Sequence, residues 1–354
     1  MTKLNEKEII DLFYSNLLEK NKTPFRIRDD VSVLSFKDLK INKVRPFNSS
    51  NINIIIKCDM LVESTDVVKQ MKIWQIARKS IVSAVSDMSA KGIKPPYFSL
   101  LSLAIPSSWT KNKIKNLILG FEKASKEFGV VYLGGDTNES GELVIDCTLI
   151  GFLDSTSNNI PLRNNAKAGD IVIISGEFGY TSAGLKILLS NSKAITPSFK
   201  KEAISRILLP KPNQKFGISL GKYFSSSIDS SDGLGISLYE LAKQSKVDFY
   251  IDDIPVPKGL IEFAKNNSLD IYDLIFNGGE EYEILATINP SNLEKVNFLA
   301  KKFHLPMFVI GKAMIGSGNV FIKYDNKLEL FHRRKIEKHK GYFLLENKGF
   351  LHFS

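Results

Sequence analysis

Residues 227–235 read Ser-Ile-Asp-Ser-Ser-Asp-Gly-Leu-Gly, and the rest of the chain is best understood from this stretch. It joins a short strand to a helix, so backbone N–H groups, small hydroxyls and the carboxylates of Asp229 and Asp232 gather at one helix start, where a phosphate or its metal can dock. An Asx turn would need only one of these residues. A related stretch, Leu133-Gly-Gly-Asp-Thr137, runs from a strand over 130–133 into a Gly-Gly turn. Glycines let the backbone approach a phosphate closely, and Asp136 follows at once. A third, Ser175-Gly-Glu-Phe-Gly-Tyr180, is also glycine-rich ahead of a helix but lacks the lysine of a P-loop, so it is a weak cradle on its own.

Around these stretches the pattern is that of strands and helices in mixed order. Ile9, Ile10, Phe13, Leu17 and Leu18 fall at helical spacing over 6–20, which predicts an amphipathic first helix packed on the body as a lid. The β-branched run 52–56 predicts a strand ending at Cys58-Asp59, a small buried thiol beside an acid. Residues 73–89 predict a helix, 98–104 a buried strand, 108–128 a long helix with Ser108 as N-cap, and 143–152 a further strand. The polar stretch 154–159 marks a boundary, so the domains are expected at 1–155 and 156–354. Beyond it, strands are expected at 171–175, 247–251 and 282–288, with helices at 181–189 and 237–244. The fold class is α/β of the α+β kind, two domains each with a mixed sheet and flanking helices.

Composition narrows the function. A chain of 354 residues exceeds the usual size of a single core, and 43% apolar with 24% charged residues is ordinary for a folded protein. No apolar stretch is long enough to cross a bilayer, and Cys58 and Cys147 form no CxxC pair, so a cytoplasmic, reducing location is expected. The net charge of +10 would suit nucleic acid, but it is spread along the chain except for a cluster at 332–340 without interleaved aromatics. A solvated basic face is the simpler reading, and nucleic acid is disfavoured as a partner. The histidines pair with no nucleophile, and neither GxxxxGK[ST] nor an HRD or DFG signature occurs.

What the acids share is placement. Asp29-Asp30, Asp59, Asp87, Asp136, Asp229 with Asp232, and Glu280-Glu281 all fall at or beside expected strand ends and turns. Any single one is as readily a turn or cap residue, but Mg²⁺ wants several carboxylate oxygens while it bridges substrate phosphates, and the set supplies them. In order along the chain come Arg28-Asp-Asp30, Asp59-Met-Leu-Val-Glu-Ser-Thr-Asp66, Val85-Ser-Asp-Met-Ser-Ala-Lys-Gly92, Gly134-Gly-Asp-Thr137, Arg163 with Ala168-Gly-Asp170, Ser227 to Leu234, Asn277-Gly-Gly-Glu-Glu-Tyr-Glu283 and Gly349-Phe-Leu-His-Phe353.

That series resembles the thiamine-monophosphate kinase family, within the superfamily that also holds aminoimidazole ribonucleotide synthetase, selenophosphate synthetase and the hydrogenase-maturation dehydratase. The resemblance implies an aminoimidazole ribonucleotide synthetase-like fold, with an N-terminal ATP/metal-binding and dimerisation domain and a C-terminal domain completing the substrate site. It implies a homodimer that transfers the ATP γ-phosphoryl to thiamine monophosphate. By motif position Asp29, Asp30, Asp59, Asp87, Asp136, Asp229 and Asp232 would hold magnesium ions and carry catalysis, with Cys58 in the metal set. Gly135, Asp136, Arg163 and Ser231 would meet ATP, and Asp66, Glu280 and Phe350 the acceptor. Lys57 and Cys58 stand where many relatives carry hydroxyl residues, Asp66 where bacterial relatives carry a histidine, and Phe121 is a loose candidate for the adenine ring. The C-terminal cysteine of the dehydratase and the reactive N-terminal cysteine of selenophosphate synthetase are missing. Aminoimidazole ribonucleotide synthetase stays open as an alternative activity.

Overall fold

The computed structural model describes residues 31–35, 52–154, 160–190, 192–323, 338–339 and 341–345. The expected first helix at 6–20, Asp29, Asp30, Phe350 and most of the basic cluster lie outside them. After β1 (Ser32–Ser35), the β-branched run opens β2 (Ile52–Val62), which continues through Cys58-Asp59 rather than ending there. Then follow α1 (Glu63–Asp66), α2 (Ile73–Ala90), β3 (Tyr97–Pro106), α3 (Lys111–Phe128), β4 (Val130–Ser140) and β5 (Val144–Asp154). The strands form a mixed sheet in the order β1-β2-β5-β3-β4, with only β3 and β4 parallel.

Side chains alternate across this sheet. Ile145, Cys147 and Leu149 of β5 are buried with Ile81 and Val85 of α2 and Leu117 of α3, while Met60, Leu100 and Phe152 remain exposed. Helix α3 begins later than expected because Thr110, not Ser108, caps it, its hydroxyl accepting from Lys113 N at 3.4 Å. The Gly-Gly turn at 134–135 is absent: β4 runs on to Ser140 alongside β3, past an irregularity at Ser99/Leu100. Glycine at 135 has a different cause, since a Cβ there would lie 1.7 Å from the Leu101 carbonyl oxygen.

The second sheet is built from the remaining chain: β6 (Ile171–Ile174), α4 (Tyr180–Leu189), α5 (Pro197–Leu208), α6 (Gln214–Leu220), β7 (Phe224–Asp229), α7 (Leu234–Ser245) and β8 (Val247–Ile251). Next come α8 (Leu260–Asn266), α9 (Ile271–Phe276), β9 (Ile284–Ile288), α10 (Leu293–Lys302), β10 (Phe308–Ile315), β11 (Val320–Lys323), β12 (Lys338–His339) and β13 (Tyr342–Leu344). Its strand order is β12-β13-β11-β8-β10-β6-β9-β7, mixed because β8 and β11 run parallel. Phe178, Leu238, Phe249, Phe263 and Phe276 fill its core. The strand expected from 282 starts at Ile284, because Glu280 and Tyr282 hold left-handed backbones (φ 64° and 53°) that no strand accommodates. The chain is therefore an α/β protein with two mixed sheets and flanking helices.

The two sheets meet along the end of α2. A Cβ on Gly217 of α6 would sit 1.8 Å from the Ser89 carbonyl oxygen, and one on Gly221 would sit 2.8 Å from Gly92 Cα, so main chain packs on main chain. The buried Lys91 ammonium donates to the carbonyls of Ser227 (2.6 Å) and Pro161 (3.2 Å), while Ser227 Oγ donates to the Ala90 carbonyl at 2.6 Å. This seam sets Asp87, in the last turn of α2, near Asp229, at the end of β7.

Candidate active site

Lys57 lies at the centre of the acidic groups. On β2 it shares a face with Asp59, and its Nζ is 2.6 Å from Asp87 Oδ2 and 3.7 Å from Asp59 Oδ2. Burial would lower its pKa, but Asp87, Asp59 and Asp229 together hold it above the ordinary lysine value, so the ammonium stays charged. Asp87 and Asp229 are almost fully buried. The structure thus brings Asp59 of β2 and Asp87 of α2 together on one ammonium, with Asp229 of the second sheet near enough to act on its charge. Next to Asp229, Ser230 Oγ is buried with no hydrogen-bond partner among the described residues, a polar atom left over for a ligand or water. The donor set fits a hard cation that takes a few carboxylate oxygens and keeps waters and phosphates for the rest. Among the described residues, however, no three His, Cys, Asp or Glu side chains form a ready metal cage. An ammonium already sits between the acids.

Beside this cluster runs the loop 277–283. Its backbone is tied to the 229–232 turn, with Glu280 N donating to the Ser231 carbonyl at 2.6 Å and Tyr282 N to the Ser230 carbonyl at 3.0 Å. Glu280 forms an ion pair with Lys79 of α2, and Lys79 Nζ also donates to the Asp66 carbonyl at 2.6 Å. The candidates Asp66 and Glu280 are therefore joined through a buried lysine. The Asp66 carboxylate itself accepts from Val62 N at 2.7 Å. Tyr282 is buried with its hydroxyl 3.0 Å from Ser83 Oγ, and burial pushes its pKa well up. Lys79 and Tyr282 were not singled out from sequence. A lysine in a helix and a tyrosine at the start of an expected strand carry no local mark of the site until packing buries them there.

Other expectations are redistributed. Asp232 is exposed in the turn before α7, with Ser231 half-buried beside it. Arg163 opens a short 3₁₀ turn, its carbonyl accepting from Ser245 Oγ at 2.9 Å. Asp136 and Gly135 are exposed on β4, three strands from β2, roughly 14 Å at ordinary strand spacing, so Asp136 cannot share one ion with Asp59 in this arrangement. Cys58 is exposed rather than buried, because strand alternation turns it away from Asp59, and its Sγ lies 3.1 Å from Asp146 Oδ2. Although the residue is exposed, partial desolvation of its Sγ and the neighbouring Asp146 carboxylate raise its pKa, which leaves it a weak nucleophile. Phe121 belongs to the core, edge-on to Tyr132, and is not free to stack on a base. The glycine-rich stretch before α4 is no phosphate cradle either: Glu281 Oε1 already accepts from Gly179 N (2.7 Å) and Thr181 N (3.1 Å).

Among the described residues no helix is long and apolar enough to cross a membrane. Comparison with known proteins places this architecture. Residues 29–153 match the family model of AIR synthase related protein, N-terminal domain. The thiamine-monophosphate kinase of Nitrosopumilus maritimus (strain SCM1) is 41% identical over 92% of this chain and 96% of its own. That of Pyrococcus horikoshii is 32% identical over 93% of this chain and 94% of its own. A solved structure of AaThiL complexed with AMPPCP and TMP superposes with a TM-score of 0.75 at 25% identity, covering 91% of this chain and 95% of that one. With full-length similarity of that degree and a shared fold, the chain belongs to the thiamine-monophosphate kinase family of phosphotransferases.

Proposed function

We propose that this chain transfers the γ-phosphoryl group of ATP to thiamine monophosphate, giving thiamine diphosphate and ADP, with magnesium held by its acids. The observation that carries the reading is the meeting of Asp59 and Asp87 on the Lys57 ammonium at the seam, with Asp229, at the end of β7, close enough to act on the same charge. In the reaction the bond from γ-phosphorus to the β,γ-bridging oxygen breaks, its electron pair leaves with ADP, and a phosphate oxygen of the acceptor forms the new bond. That oxygen belongs to a group with a second pKa of about 6, so at neutral pH it is largely deprotonated and needs no general base. The obstacle is the repulsion of two anionic phosphates, which positioning and positive charge overcome.

Magnesium, when bound, would supply positive charge that offsets the repulsion between the phosphates. Asp59, Asp87 and Asp229 would hold it, with Asp232 close by in sequence and Asp29 and Asp30 completing the set by motif position. Asp136 and Gly135 on β4, with Arg163 and Ser231, would meet the nucleotide. Glu280, oriented by Lys79, would face the cationic thiazolium end of the acceptor, with Phe350 supplying an aromatic face. The reading further includes a cytoplasmic enzyme, domains at 1–155 and 156–354, and a homodimer formed through the exposed face of the first sheet.

The test is conversion of thiamine monophosphate by ATP with and without Mg²⁺, beside free thiamine and formylglycinamidine ribonucleotide. Thiamine diphosphate formed only from the monophosphate, and only with metal, is the expected result. Turnover of formylglycinamidine ribonucleotide instead would overturn the substrate and favour a synthetase.

A further inference from the structure

We propose that Lys57 is a resident cation of this site, taking the place of one divalent ion that the acids would otherwise bind. The inference rests on the reading of the chain as a magnesium-dependent phosphotransferase. Lys57 is not a surface lysine that happens to meet an acid. It sits within β2, its backbone fixed opposite Leu149 of β5, between the buried Ile55 and Leu61 on the same face. From there its Nζ reaches Asp87 at 2.6 Å and Asp59 at 3.7 Å, and Asp229 acts on its charge as well.

An ammonium at hydrogen-bond distance from Asp87 Oδ2 uses the oxygen and much of the space that a metal ion would need. Mg²⁺ requires near-octahedral oxygens at about 2.0–2.1 Å and does not share such a position with a lysine. Three carboxylates carry three negative charges, and Lys57 cancels one of them whatever the metal concentration. A lysine is also a compact point charge suited to phosphate oxygens. The same centre therefore has room for fewer divalent ions than its acids alone would hold.

The experiment counts Mn²⁺ bound per chain in the presence of AMPPCP by electron paramagnetic resonance, and follows thermal unfolding with and without Mn²⁺ alone. It uses the full chain and its Lys57→Ser, Lys57→Met and Lys57→Arg variants. Lys57→Arg is expected to keep the wild-type count. Lys57→Ser is expected to bind one more Mn²⁺, and both neutral variants to bind it about tenfold tighter or more without nucleotide, seen as a larger upward shift of Tm than in wild type. Neutral variants that melt cooperatively with the wild-type count and the wild-type shift would overturn the proposal, leaving Lys57 a structural counter-ion. If Lys57→Ser does not fold, Lys57→Met decides by its Tm shift. A wild-type chain that binds no Mn²⁺ with nucleotide would overturn both this proposal and the phosphotransfer reading.

Discussion

Asp87 and Asp136 carry the same side chain in opposite settings, and their substitution should separate a role in the reaction from a role in packing. Asp87→Asn leaves Lys57 with a neutral partner in a nearly buried place, so it is expected to lower kcat by about 100-fold or more and to cost roughly 2–3 kcal/mol of stability. Asp136 is exposed and, among the described residues, accepts only from its neighbour Thr137 N, so Asp136→Asn is expected to abolish turnover while urea unfolding stays within about 0.5 kcal/mol. Retained turnover in that variant would remove Asp136 from the machinery. Glu281 adds a pH effect. Burial raises its pKa to about 7, against the lowering effect of the Gly179 and Thr181 N–H groups. The folded state thus keeps a proton that the unfolded state releases from about 4.3 upward, so stability contributed below that pH is lost as pH rises towards 7. Glu281→Gln keeps an acceptor for both N–H groups and is expected to flatten that loss, by roughly 3 kcal/mol at pH 8 relative to pH 4, in paired urea titrations. Asp229 and Glu280 stand out in the sequence as candidates because glycine and hydroxyl neighbours surround them. Lys79 does not, because nothing local marks a helix lysine for burial.

At the scale of elements, the sequence marked where strands and helices exist better than where they stop. Asp59 and the Gly-Gly-Asp stretch both looked like strand ends, since acids and glycines interrupt a β-branched run. Each continues as strand because the pairing with a neighbour decides: β2 with β5 on one side, β4 with β3 on the other. The face of each residue follows from that pairing, which is why Cys58 and Asp59 part company although adjacent in sequence. Glycine also proved to mark close approach more than turning. Gly217→Ala would drive a Cβ into the Ser89 carbonyl, and it is expected to cost about 3 kcal/mol and to lower Tm, with activity falling in step because Asp87 and Asp229 are set by the same contact. Loss of stability with unchanged kcat in the folded fraction would show that the acids tolerate a shifted seam.

For the whole molecule, the fold class could be read from the mixed order of segments, but the open side of the first sheet could not. Its outward row of Met60, Leu100, Leu133 and Phe152 is exposed, and as the surface proposed for pairing two chains it should be sensitive to charge. In sedimentation velocity the wild type is expected to run as a dimer and Leu100→Glu as a monomer. A wild-type monomer would refute the proposed assembly. The seam between the sheets has a further consequence, one of descent and exchange. Where two halves touch through side chains, either can drift and the other can answer with a different side chain. Here Gly217 and Gly221 meet the backbone of 89–92 with nothing left to trim. At these two points neither half holds a spare adjustment, so a chimaera that borrows the second half from a distant relative is expected to assemble only if the donor carries glycine at the same places.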